Sequence, residues 1–396
     1  LRAMHDAGIH GFYLMPIKSV SDEAQFQGDS EQLSDNWWRH IDHTFHIADS
    51  LHLQMGIHFS DGFALGGGPW IKPEESMQRI VWSDTVVEVR NEELRIKNKD
   101  SSLIAVYAYP AKYYDPRKPK SSVAFPFRSA DSCAITMTYD SIFTLRSVRI
   151  VTGGNNYQAH RFAIYASDDG AHFRFVRQLQ PARQGWQNTD AQASYSVPAT
   201  AARYFQFRWS PRGSEPGSED MDAAKWKPVL KVADIQLSSE PVVDGFEGKS
   251  GAVWRVSSSF PIADNEFLSN KEIIPIYNRF APTDTSNYAL CIMHCTLRKW
   301  HILRISHAST GHTNATGGGG RGLECDKFSR AAIDKQFEHW FAAIYNHVPR
   351  DVARRVLTRL HVDSWECGSQ NWSDTFAAEF RRCRGYDLIP WLPLFA

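Results

Sequence analysis

Two hydrophobic rhythms divide this chain, and the change between them limits its fold more than any other feature. Over residues 1–82 and 298–396, helical spacing of apolar residues alternates with short apolar runs. Trp38, Ile41, Phe45 and Ala48 illustrate the helical spacing, with the apolar face continuing to Leu51. Over residues 83–297 the period is mostly two, as where Phe205, Phe207 and Trp209 alternate with Gln206 and Arg208. The first rhythm implies a parallel sheet covered by helices, the second implies strands with one buried and one wet face. The expectation is an α/β domain interrupted by a β-rich insertion, since surface loops tolerate inserted domains.

Taken in order, Leu1 to Ala7 read as a helix end capped by Gly8, and His10 to Pro16 as a buried strand. A helix through Phe45 follows, then a strand, MGIHFSDG, ending in His58 and Asp61. Pro73 and Glu74 predict the start of a helix that runs through Met77 and Ile80 to Trp82. Within the insertion, Ser167-Asp168-Asp169-Gly170 predicts a turn ahead of the strand FRFV, and residues 212–222 a polar loop. The α/β rhythm is expected to resume at Trp300 with the strand HILRIS. Next come a helix presenting Ile333, Phe337, Trp340 and Ile344, the strand LTRLHV, and a helix from Ser373 to Arg384 stopped by Gly385.

Composition removes several function classes. The 396 residues hold 44 Lys and Arg against 44 Asp and Glu, so no nucleic-acid partner is expected. No run approaches the ~18 apolar residues of a membrane span. Six scattered cysteines do not make a disulfide framework, and Cys291, His294 and Cys295 lack the second pair of a zinc site. The chain opens on Leu1 and stops at Ala396 within helix-like patterns, so both ends read as cut. Oligomeric state cannot be read.

Functional residues of a β/α sheet gather at the C-terminal strand ends. The first strand offers Lys18 and Ser19. The second offers His58, Ser60 and Asp61, then Gly66-Gly67-Gly68-Pro69-Trp70. HILRIS leads to His307, Ser309, Thr310, His312 and Asn314, and onward to Glu324 and Asp326. LTRLHV delivers Asp363, Trp365 and Glu366, followed by Gln370, Asn371 and Trp372. Carboxylates crowded with amides and indoles suit a sugar site: acids for chemistry, amides for hydroxyls, ring faces for pyranose stacking. Glycoside hydrolysis fits, because it needs one protonated carboxyl at the glycosidic oxygen and a second carboxylate opposite. Structural roles compete at each position. The glycine runs can be turns or flexible loops, since no GK[ST] follows them. His58 can be a core imidazole, Glu324 and Asp326 can serve a helix dipole, and tryptophans fill cores.

Three blocks resemble the α-L-rhamnosidases of glycoside hydrolase family 106: GGPWIKPEESMQRIVWS (67–83), GLECDKFS (322–329) and DSWECGSQNWSDTFAAEFRRCRGYDLIPWLP (363–393). The resemblance covers residues 1–82 and 298–396. It implies a partial (β/α)8 TIM-type barrel, an inverting mechanism, a carbohydrate substrate and a calcium ion. It assigns Glu366 as general acid and Asp363 as a second essential acid, and puts the general base on a later strand beyond Ala396. His58, Asp61, Trp70, Trp365, Gln370, Asn371, Trp372 and His312 are then candidates for substrate binding, and Glu324 and Asp326 for calcium. A periplasmic or secreted bacterial protein is expected. Residues 122–239 resemble a discoidin-type jelly roll of the carbohydrate-binding kind, through FAIYASDDGAHFRFV, ARYFQFRWS and VADIQLSS. A barrel glycosidase of other specificity, or a non-catalytic sugar-binding protein, would share these features.

Overall fold

The structure, a computed structural model, describes residues 1–15, 30–60, 66–88, 94–97, 101–153, 161–180, 192–212, 229–253, 270–280, 287–290, 299–314, 318–363 and 365–395. They fall into two units, residues 1–79 with 308–385 and residues 80–307 with 386–396.

The first unit opens with α1 (Arg2–Asp6), β1 (Gly11–Leu14), α2 (Asp35–Ser50), β2 (Gln54–His58) and the short β3 (Gly67–Gly68). Helix α2 starts where the Ser34 hydroxyl accepts the Trp37 N–H at 3.2 Å. It buries Trp37, Ile41, Phe45 and Ala48, so the apolar stripe begins at Trp37. Trp38, expected on that stripe, is partly buried at its edge, packed on the same core and against the ring of His347 at 4.4 Å. The helix expected over residues 73–82 is one 3₁₀ turn, Pro73–Glu75, followed by β4 (Gln78–Glu88). Pro73 and Glu75 do make a helix start, but Ile80, Val81, Thr85, Val86 and Val87 are β-branched and continue as strand.

The second unit runs through β5 (Leu94–Lys97), β6 (Leu103–Pro110), β7 (Lys120–Ser121), β8 (Phe127–Ser129) and β9 (Cys133–Thr152). β10 (Ala163–Ser167), β11 (Arg174–Gln178), β12 (Ala193–Trp209), β13 (Leu230–Ser238) and α3 (Phe246–Lys249) follow. β14 (Ile274–Asn278), β15 (Asn287–Leu290) and β16 (Lys299–Ser309) complete it. A seven-stranded sheet has the order β11-β10-β12-β9-β13-β8, with β7 also on β9. β12 pairs antiparallel with β9 over three stretches separated by register shifts between Ser196 and Thr200 and between Ala202 and Tyr204. Those irregularities let two long strands bend around one core. Phe205, Phe207 and Trp209 point into it as the alternation requires, beside Ile135, Met137, Phe143 and Leu145. The Ser167–Gly170 turn forms as expected, with the Asp169 carboxylate accepting the Ala171 and His172 N–H groups at 2.8 Å.

A second, four-stranded sheet has the order β14-β6-β16-β4, so HILRIS is not a strand of the parallel sheet. It pairs antiparallel with β6, Ile302 opposite Ala108 and Ile305 opposite Ala105. An apolar run buried on both faces reads alike in parallel and antiparallel sheets, and residues 300–303 are all buried.

The chain returns to the first unit with β17 (Leu323–Glu324), α4 (Arg330–Phe337), α5 (Ala343–His347), α6 (Arg350–Val356), β18 (Leu357–His361) and α7 (Phe376–Arg384). A π-helical turn at Glu338–Ala342 joins α4 to α5. This shifts the inward face to Ala332, Gln336, Trp340 and Ile344, and turns Phe337 outward. Helix α7 starts at Phe376, after a turn in which the Phe376 N–H donates to the Ser373 carbonyl, and ends at Gly385 in the left-handed region. β1, β2 and β18 form a parallel sheet in the order β1-β2-β18, the arrangement the helix-strand rhythm required. Its register sets His58 opposite His361 at the C-terminal edge.

One buried charge ties the second unit together. His301 of β16 is 2% exposed at its side chain, and holds Asp84 of β4 and Glu240, just past β13, at 2.6 Å each. Burial by itself would lower this imidazole, but the hydrogen bonds it donates to both carboxylates outweigh it and raise it to about 9. The folded value lies above the ordinary ~6.5, so the stabilisation is complete below about pH 6.5 and is lost as pH rises through about 9. The melting temperature of the wild type is expected to fall across that window. His301→Gln should melt lower at pH 6 and show a flatter profile. Parallel profiles for the two proteins would refute the assignment.

Candidate active site

The strand ends of the parallel sheet are fixed from one side by the helix that follows β17. The Trp340 indole N–H donates to the His58 carbonyl at 2.8 Å, and the Gln336 amide donates to the Phe59 carbonyl at 2.9 Å. Gln336 is fully buried, and its side-chain oxygen accepts the Trp70 indole N–H at 2.8 Å. Chain direction at the end of β2 is therefore set by hydrogen bonds rather than by loop sequence.

On that edge His58 and His361 lie with ring centroids 5.2 Å apart, and His361 Nε2 is 3.5 Å from Asp363 Oδ2. Tyr13 of β1 meets the His361 ring edge-on at 5.6 Å. Burial, with His361 adding to it, holds the His58 imidazole below its usual range, so it is neutral near neutral pH. Asp363 is exposed and Glu366, three residues on, is half-buried. Three strand-end groups that can carry or share protons thus meet where β/α sheets place their chemistry.

Against Trp365 sits a buried lysine. Lys327 has 3% of its side chain exposed and Glu324 none, with Lys327 Nζ 2.9 Å from Glu324 Oε1. The same ammonium reaches Met77 Sδ at 2.9 Å and lies 5.1 Å from the centroid of the Trp365 ring. Trp365 also packs on Phe328 and donates its indole N–H to the Gly368 carbonyl at 3.1 Å, yet remains 43% exposed. It is an indole platform held from beneath and open above.

The other expected residues divide. Gln370 is a strut: its amide donates to Asp326 Oδ1 and to the Trp372 carbonyl, and its oxygen accepts the Lys327 N–H. Trp372, expected to stack on sugar, is 1% exposed and packs against Phe376, so it belongs to the core. Trp70 has its N–H committed to Gln336 and its ring stacked on His339 at 5.5 Å. Asn371 is 8% exposed. His312 abuts Gly368, where a φ of +81° and an added Cβ only 2.6 Å from His312 Nε2 leave no room for a side chain. Asp61 lies outside the described residues, as do Lys18, Ser19, Cys291, His294 and Cys295.

The two glycine runs are packing devices. Asn314 donates to the carbonyls of Gly67 and Gly320 and accepts the Gly322 N–H, all within 3.0 Å. A Cβ on Gly322 would stand 2.0 Å from the Gly68 carbonyl.

Glu324 and Asp326 do not fit the calcium expected of them. Glu324 Oε1 already serves the Lys327 ammonium and the Gly66 N–H, and Asp326 Oδ1 serves Gln370 and the Phe328 N–H. Glu324 Oε2 is buried without a hydrogen-bond partner, but one oxygen falls short of the six to eight that calcium takes. Among the described residues, no three His, Cys, Asp or Glu side chains converge as metal ligands.

Against this geometry, a model of glycoside hydrolase family 106, described as alpha-L-rhamnosidase, matches residues 1–396. The chain belongs to that family. A solved rhamnosidase from Novosphingobium sp. PP1Y superposes with a TM-score of 0.73 at 20% identity, over all of this chain and 39% of that one. That likeness shows the fold. A protein of Formosa agariphila, provisionally named a beta-glucuronidase, is 39% identical over 99 residues, 25% of this chain and 8% of its own length. The family 106 chain thus spans well under half of the rhamnosidase it superposes on.

Sequence reasoning passed over His361, Gln336 and Lys327. His361 had a signal, two residues before Asp363 at a strand end; a lysine buried at i+3 from a glutamate had none. Lys327→Met in this family 106 chain would strand the Glu324 charge in the core, with an expected loss of about 3–5 kcal/mol in urea unfolding. Adding Glu324→Gln should restore most of that. A double variant as unstable as Lys327→Met would show that the pair is not coupled.

Proposed function

We propose that this chain carries the acid half of an inverting α-L-rhamnosidase site, which releases terminal rhamnosyl residues from glycans or glycosides. The observation that carries the reading is the strand-end cluster of His58, His361 and Asp363, followed by Glu366, in a chain of family 106. In this reading β1, β2 and β18 are strands of a (β/α)8 barrel, and the seven-stranded sheet is an inserted jelly roll.

Glu366 protonates the glycosidic oxygen as the bond to the anomeric carbon breaks. Water attacks the opposite face, and the inverting course is carried over from the family resemblance. The transition state gains positive charge at the sugar ring, where the exposed carboxylate of Asp363, beside His361, supplies negative potential. Trp365 offers its open face to the pyranose and His312 stands beside Gly368 of the same loop, while His58 and Asn371 lie buried behind the surface. Trp70, Gln370 and Trp372 act from behind, by fixing the loops. No step runs through calcium.

In the enzyme that contains this chain, Glu366→Gln is expected to lower turnover of an alkyl α-L-rhamnoside by roughly 10²–10⁴-fold. The loss should be smaller on the 4-nitrophenyl rhamnoside, whose leaving group needs less protonation. Equal losses on both would reassign Glu366 to another role, and unchanged turnover would remove it from the mechanism. A glycosidase of other specificity is the second reading, favoured by the name of the Formosa agariphila relative. Turnover of an aryl β-D-glucuronide exceeding that of the rhamnoside would decide for it.

A further inference from the structure

The second unit holds a solvent-open cavity of about 610 Å³ that the strand-end chemistry does not use, since its lining residues all belong to that unit. Its volume falls within the roughly 300–1,000 Å³ typical of ligand cavities. Five aromatic rings contribute to its wall: Trp82, Tyr109, Tyr113, Tyr114 and Phe246. Tyr109 is stacked on His301 at 4.6 Å with an interplanar angle of 9°, and Tyr113 lies under the Arg146 guanidinium at 4.2 Å. Both rings are fixed by what lies behind them. Trp82 is 37% exposed, with the Arg149 guanidinium 6.0 Å from its ring centroid.

The polar lining mixes acceptors with donors. Asp84 and Glu240 each give one oxygen to His301, and both line the cavity. Arg149 and Gln236 add donors, and Arg149 Nε is buried without a hydrogen-bond partner. The charges balance, with Asp84, Asp115 and Glu240 against Lys112, Lys118 and Arg149.

We propose that this cavity is a second saccharide-binding site, which takes an uncharged pyranoside with its C–H face on the aromatic wall and its hydroxyls between the carboxylates and Arg149. Of common ligand classes, a pyranoside alone combines a flat apolar face with groups that both donate and accept in every direction. A balanced lining gives no preference for a carboxylated sugar, and an apolar aromatic would leave Arg149 Nε, and the oxygens of Asp84 and Glu240 that do not serve His301, unmet. The site does not rest on the catalytic role proposed for Glu366.

The test is saturation-transfer NMR on the whole chain, with three glycosides as probes: methyl α-L-rhamnopyranoside, methyl α-D-galactopyranoside and methyl α-D-galactopyranosiduronate. 4-Nitrophenol is the non-sugar control. At least one uncharged glycoside should show transfer to its ring protons. Trp82→Ala should weaken that binding about tenfold. Gln236→Ala changes an exposed residue and serves as the second variant, expected to weaken it severalfold while circular dichroism is unchanged. Transfer equal in wild type and Gln236→Ala, or in wild type and a folded Trp82→Ala, would overturn the proposal. So would absence of transfer to either uncharged glycoside, a preference for the uronate, or binding of 4-nitrophenol alone.

Discussion

The buried ammonium of Lys327 is the constraint around which the first unit is arranged. A lysine side chain that is 3% exposed persists only if its charge is met, and three parts of the chain meet it: Glu324 of β17, Met77 ahead of β4, and the face of Trp365. Each contact fixes a segment that is otherwise loop. Glu324 draws in the Gly66 N–H, and its backbone N–H donates to the His312 carbonyl. Gln370 ties the Lys327 backbone to Asp326 and so holds the loop after Glu366. Removing the charge would release all of these together, because a buried network fails as a unit.

Close backbone approach is the second requirement of the same region. Gly67 and Gly68 pair with Leu323 and Glu324, and Asn314 closes three hydrogen bonds across the glycine runs. A side chain at Gly322 would collide with the Gly68 backbone. Glycine-rich sequence here reflects contact distance rather than mobility. The helix side obeys the same logic, with Gln336 and Trp340 satisfying the carbonyls of Phe59 and His58 that the end of β2 leaves open.

What the sequence made legible follows from how local each signal is. Strand alternation around Phe205, the Asp169 turn and the Gly385 stop depend on neighbours within a few residues, and they formed as read. The parallel sheet and the strand-end position of His58 and Asp363 follow from a period extending over some tens of residues. Partners were invisible. HILRIS is apolar on both faces whichever sheet it joins, and pairing with β6 decided its unit. Trp372 and Trp365 are the same residue type seven positions apart, yet one is core and the other is open, because only Trp365 rests on Lys327 and Phe328. The π-helical turn displaced Phe337 by adding a residue to one turn, which no apolar count would reveal.

The second unit solves the same problem of buried charge with a different residue, and the difference matters chemically. Lys327 is matched by one carboxylate, that of Glu324. His301 is matched by two, and its charge depends on pH within reach of ordinary conditions. Its two carboxylates come from β4 and from the turn after β13, so the imidazolium links the four-stranded sheet to the seven-stranded one. Tyr109 stacks on the same ring. The cation that joins the two sheets therefore also sets the positions of Asp84, Glu240 and Tyr109 in the wall of the 610 Å³ cavity. A cavity whose polar wall is built from a structural ion network is preorganised: its carboxylates are aimed before any ligand arrives, and binding need not order them.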